Sequence, residues 1–156
     1  MKLAEALVLR ADAMRRVEQL RSRIMGAARY QEGEEPSEDA GQLLEETQQV
    51  LDELESLIRR INRTNATVDM GDDGTLTDAL ARRDVLRMRH SIVSASADAA
   101  AGKGERGYVR QMRSELMMLS ALPVADLRAQ ADVLAREIRR LDMRIQRTNW
   151  EVDLLG

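Results

Sequence analysis

A five-residue phrase occurs twice in this chain, and nothing else in the sequence constrains the fold as strongly. Ile61-Asn62-Arg63-Thr64-Asn65 returns as Ile145-Gln146-Arg147-Thr148-Asn149, at an offset of 84 residues. Around the first copy, Leu43, Thr47, Val50, Leu54, Leu57, Ile61, Thr64 and Val68 step by fours and threes. The same offset reaches Leu127, Ala131, Leu134, Ile138, Leu141, Ile145, Thr148 and Val152. Such steps keep residues on one face of an α-helix, which turns about 100° per residue. Two long helices therefore carry one apolar seam in one register, each ending on Thr-Asn.

A second repeat runs at an offset of 73. Leu3, Glu5, Ala6, Leu7 and Arg10 match Leu76, Asp78, Ala79, Leu80 and Arg83. The first of these helices is expected over residues 3–28, with Met14, Val17, Leu20 and Ile24 continuing its seam. The second copy continues through Leu86, His90, Val93 and Ala97. An arginine stands where the seam calls for an apolar residue, at the same place in both copies. Thr75 and Asp78 have the spacing of a capping box at a helix start. Gly71-Asp72-Asp73-Gly74 reads as the turn before it. Pro-x-x-Asp at residues 36–39 and again at 123–126 marks the approach to the other two helices, expected over 40–66 and from 124 onward.

The expected fold is mainly α: an internally duplicated four-helix bundle of two antiparallel helical hairpins. Residues 1–70 form the first hairpin repeat and 71–156 the second, within a single domain. Three glycines loosen residues 101–107, and Glu115 begins a short apolar run to Leu122. That run fits either a helical turn or a strand, and as a strand it would pair with residues 28–32 in a short two-stranded β-ribbon between the connections. Helices of roughly 25 residues are about 37 Å long, which makes a slender object. Val8, Leu9, Met25, Leu44 and Leu51 lie outside the seam, so assembly into homo-oligomers is expected to cover them.

Composition narrows the function classes. Aromatics make up 2% of the chain with no Phe, which suits close-packed aliphatic helices better than a β-sandwich. The net charge of −3 supplies no basic field for nucleic acid. Glu5 and Arg10 interrupt the only apolar stretch near the N-terminus, so it does not read as a signal peptide. No segment approaches the ~20 apolar residues of a membrane span. The expected setting is the cytoplasm, with no membrane partner.

The pieces Glu5-Ala6-Leu7, Leu9-Arg10-Ala11-Asp12, residues 31–36 (QEGEEP), Thr75-Leu76-Thr77-Asp78-Ala79-Leu80, Arg83-Asp84 and Asn149-Trp150 stand out beside the repeated phrase. With them, the sequence resembles a family of small bacterial proteins of unknown function labelled septicolysin-like, over essentially its full length. The resemblance implies a mainly helical fold, and the label suggests a membrane-active cytolysin. The outer helical faces instead interleave acids and arginines, as in Asp52, Glu53, Glu55, Arg59 and Arg60. That pattern is a solvated or salt-bridged face.

The seam arginines are the sharpest candidates for chemistry. A charge in an apolar seam costs several kcal/mol unless paired. Arg10 and Arg83 have Glu5, Asp12, Asp78 and Asp84 on their own helices, and Asn65 and Asn149 flank the facing seams. One reading is an internal polar network that fixes register. The other is an anion pocket, with the protein binding a small molecule or acting as an enzyme there. His90, the single histidine, lies six residues from Asp84, about 240° around one helix. That helix cannot pair them, and no catalytic residue is assigned. Without Glu-x-x-His or cysteine, no metal site and no cofactor are expected. Asp72, Asp73 and Glu105 would hold a cation only loosely. The acidic connection, Glu32 to Asp39, and the basic one with Lys103, Arg106, Arg110 and Arg113 have opposite sign; they read either as two solvated loops or as a contact between subunits or with a partner.

Overall fold

A computed structural model describes residues 1–103 and 116–156. Four long helices account for most of the described chain: α1 (Leu3–Ala27), α2 (Ala40–Thr67), α3 (Leu76–Ala100) and α4 (Val124–Glu151), with a 3₁₀ turn over Gly71–Asp73. The bounds of α1 and α3 coincide at the offset of 73, and those of α2 and α4 at 84. Every residue of the two repeated seams on α2 and α4 is buried or half-buried.

The β-ribbon does not form. Residues 28–32 and 116–122 contain no strand, and Glu115 lies outside the described residues. The apolar side chains of Leu116, Met117, Met118 and Leu119 are exposed, so this run has no covered face on which a strand would gain by pairing. The Pro-x-x-Asp pair is also out of step. Asp39 caps α2, its carboxylate accepting from the Gln42 N–H at 3.1 Å. In the second copy α4 starts directly after Pro123, and Asp126 falls inside the first turn. Both positions satisfy or complement the positive end of the helix, by hydrogen bond in one case and by charge in the other.

The chain divides into two compact units, residues 1–69 with 146–156 and residues 70–145. In the first, α1 and α2 are antiparallel, as ion pairs from Arg16 to Glu46 and from Arg23 to Glu38 record. Leu20, Ala27, Leu43 and Val50 form its core, with Ala13, Val17, Ile24 and Ala40 packed against them. Alanines at three of these positions let the helix axes approach. Met14, expected in the seam, is instead exposed. From Arg10 the seam steps by three to Ala13, and Met14 turns about 100° out of it.

The repeated phrase is a clasp at the end of α2. Thr64 is fully buried. Its hydroxyl donates to the Arg60 carbonyl at 2.8 Å and accepts the Leu155 N–H at 3.0 Å. Arg60 donates to the Leu155 carbonyl and Arg63 to that of Gly156, both at 3.0 Å. The Leu3 N–H meets the Val152 carbonyl, and the Leu154 N–H meets that of Met1. Groups at a helix end and in a passing segment, which would otherwise lack partners, satisfy one another.

In the second unit, α3 runs antiparallel to α4. Arg82 near its start reaches Glu137, and Asp98 near its end reaches Arg128. Thr75 and Asp78 form the capping box that their spacing predicts. The Thr75 N–H reaches the Asp78 carboxylate at 2.8 Å, and this bond holds the Asp78 carboxyl below its ordinary range. Gly74, at φ 77°, closes the turn, and a Cβ there would sit 2.6 Å from Asp78 Oδ2. Glycine is required on both counts.

Candidate functional site

The nine polar residues singled out by sequence are not gathered into one network. Glu5 accepts from the Lys2 N–H at 2.7 Å, a helix-start contact. Asp12 pairs with Arg15 and Asp78 with Thr75. Arg83, whose side chain is 20% exposed, donates to Asp84 at 3.0 Å and stands 3.8 Å from Asp142. Asp142 also takes Arg87 at 2.9 Å. Arg10 is half-buried and makes no hydrogen bond or ion pair among the described residues. The offset of 84 explains the difference between the two arginines, because the position corresponding to Asp142 is Ile58. Asn149 is buried, while Asn65 and His90 are half-buried. Among the nine, the hydrogen bonds and ion pairs of the described residues join only Arg83 and Asp84.

The structure gathers a different polar cluster. Asp73, with a side chain 2% exposed, accepts from both Arg82 and Arg144. Arg144 also donates to the Met70 carbonyl at 2.6 Å, and Arg82 to Glu137. One buried carboxylate thus ties the turn at 71–73 to α3 and α4. Its oxygens are taken by guanidinium groups, so it serves as an anchor and is not offered to a cation or a substrate. Among the described residues no group of three or more His, Cys, Asp or Glu is placed to hold a metal ion. Glu105, Arg106, Arg110 and Arg113 lie outside the described residues. Sequence reading missed the cluster because its members are 9 and 71 residues apart and only the packed hairpin brings them together.

The flanks of the hairpins offer more to a partner than this anchor does. On the first hairpin, Arg16–Glu46 and Arg23–Glu38 close one flank. Its other flank exposes Leu44, Leu51 and Ile58, spaced by sevens on α2, with Met14 and Met25 on α1. On the second hairpin, α3 exposes Val85, Met88 and Ile92, and α4 exposes Val133. Beside them a groove of about 380 Å³ runs between α3 and α4, lined by Arg89, Val93, Ala129, Gln130, Val133 and Leu134. The groove is open where Arg16–Glu46 closes the first hairpin: Gln130 stands at the position of Glu46, and Arg89 has no carboxylate partner among the described residues.

These features define a class: a mainly α protein of two antiparallel helical hairpins whose helices recur at fixed offsets and whose flanks carry exposed apolar groups. A model described as a family of unknown function (DUF6847) matches residues 10–154, and the chain belongs to that family. It is also similar to a solved structure, a functionally unknown conserved protein from Corynebacterium diphtheriae. The two are 36% identical with a TM-score of 0.89, over 99% of each chain. No curated protein matches. Neither match bears the septicolysin-like label. Among the described residues no helix is long and apolar enough to cross a membrane.

Proposed function

We propose that this protein is a cytoplasmic homo-oligomer with a structural or binding role, without a nucleic-acid or membrane partner. One observation carries the reading: Leu44, Leu51 and Ile58 form an exposed heptad stripe on a helix whose opposite flank is closed by ion pairs. Contiguous apolar surface of this kind on a soluble domain marks an interaction site. A heptad spacing is what a partner helix reads along its length. Light scattering and sedimentation equilibrium across the micromolar range test it. At least twice the monomer mass is expected, and a monomer throughout that range would refute it.

A second reading, anion binding at Arg10, is supported by one contrast. Arg83 is held by two carboxylates while Arg10 has no partner among the described residues. On this reading inorganic phosphate raises the melting temperature of the native protein and not that of Arg10→Met. Equal phosphate responses in the two proteins would remove it.

A further inference from the structure

The two hairpins exchange the polarity of their flanks. Aligned by the offsets of 73 and 84, the apolar flank of the first hairpin corresponds to charged positions of the second. Met25 and Leu44 correspond to Asp98 and Arg128, which are ion-paired at 2.7 Å. Met14 and Ile58 correspond to Arg87 and Asp142, paired at 2.9 Å. The reverse holds on the opposite flank. Val85 and Met88 of the second hairpin correspond to Asp12 and Arg15, an ion pair. Ile92 and Val133 correspond to Gln19 and Gln49. At these positions the choice between charge and apolar side chain is opposite in the two hairpins, although Val8 is exposed beside Asp12 and Leu51 corresponds to Ala135.

The charges bordering the two open flanks also have opposite sign. Glu45 and Asp52 directly follow Leu44 and Leu51 and make no ion pair among the described residues. Arg59 directly follows Ile58 and pairs with Glu55 at 3.6 Å, so the border is acidic at Leu44 and Leu51 and balanced at Ile58. On the second hairpin, Arg136 and Arg140 follow Val133 by three and seven residues, on the same side of α4. They and Arg89 make no ion pair among the described residues. Both flanks are exposed among the described residues, by 38% at Leu51 and 67% at Ile92.

We propose that these flanks are covered by a second copy of the chain, docked head to tail, with the acid-bordered flank of its first hairpin on the arginine-bordered flank of the second hairpin. The proposal rests on the oligomeric reading above and specifies the interface. Self-pairing of either flank about a two-fold axis would bring like borders together, Asp52 against Asp52 or Arg140 against Arg140. Head-to-tail docking places carboxylates opposite guanidinium groups around an apolar centre, the arrangement that gives an interface its register. Each copy offers one flank of each kind, so every docked pair joins two unlike flanks.

Complementation tests this directly. One variant carries Leu51→Glu and Ile58→Glu, the other Ile92→Glu and Val133→Glu. Each is expected to be monomeric alone with native helix content, and an equimolar mixture to recover a one-to-one dimer through the single pair of intact flanks. The chain contains no cysteine, so conservative Leu51→Cys and Val133→Cys proteins provide an independent readout if a charged variant misfolds. Mixed and treated with a short bis-maleimide, they should give 51–133 links in preference to 51–51 or 133–133 links. Predominant 51–51 or 133–133 links overturn the proposal. So does one charged variant that still assembles like the native protein, or folded charged variants whose mixture recovers nothing. These outcomes leave an oligomeric native protein standing. A native protein that is monomeric overturns both readings at once.

Discussion

Removing the Asp73 carboxylate is the sharpest test of how the second unit is held. Asp73 is almost wholly buried and accepts from Arg82 and Arg144, whose side chains are each about half exposed. Charge-assisted hydrogen bonds contribute roughly 1.5–3 kcal/mol each. The half-exposed arginines can rehydrate, so the lower end applies, and two such bonds come to about 3 kcal/mol. Asp73→Ala also removes the desolvation cost of the carboxylate, which offsets part of that loss. The expected net destabilisation is about 2 kcal/mol, measured by urea denaturation followed by far-ultraviolet circular dichroism. Asp73→Asn should lose a similar amount, because its amide oxygen can serve one arginine while its NH₂ group opposes the other. A double-mutant cycle between Asp73→Ala and Arg144→Ala should give a coupling of roughly 1 kcal/mol or more. If Asp73→Ala proved as stable as the native protein within about 0.5 kcal/mol, the carboxylate would be a tolerated charge and not an anchor.

Thr64→Val keeps the shape of the buried clasp but strands the Leu155 N–H and should cost about 1–2 kcal/mol in the same melts; a silent change would mean that water or another acceptor replaces the hydroxyl. Leu54→Ala and Ile138→Ala, at corresponding half-buried seam positions, should each cost about 2 kcal/mol, the low end for large-to-small changes. Costs differing by more than about 1.5 kcal/mol would show that the repeated seams are not energetically equivalent. Arg23, the Thr75 N–H and Lys2 hold the carboxyls of Glu38, Asp78 and Asp153 below their ordinary ranges. Through these carboxyls, acid should begin to destabilise the protein as pH falls below about 5. A lowered folded-state pKa contributes stability that is complete above the unfolded pKa and is lost as pH falls through the folded one. Melting temperatures that already decline between pH 7 and 5 would contradict this.

Much of the architecture is written locally. The recurrence at offsets of 73 and 84 specifies paired helices of equal length, because hydrophobic periodicity and capping depend on residues three to seven apart. The Thr75–Asp78 box and the turn glycines are of this kind, and they form where their spacing places them. The role of the repeated phrase is not local. Thr64 and Arg63 earn their place through Leu155 and Gly156, more than ninety residues on. The same limit applies to the polar groups. A sequence shows an arginine recurring at 10 and 83, but only packing reveals that Arg83 faces Asp142 while the corresponding partner of Arg10 would be Ile58. Asp73, read along the chain as a turn residue, becomes an anchor because two helices bring arginines to it from 9 and 71 residues further along the chain. Apolar spacing along a helix says that a face exists, since the period of the backbone is fixed. Which faces remain exposed, and which are closed by charge, depends on neighbours that only the tertiary structure supplies.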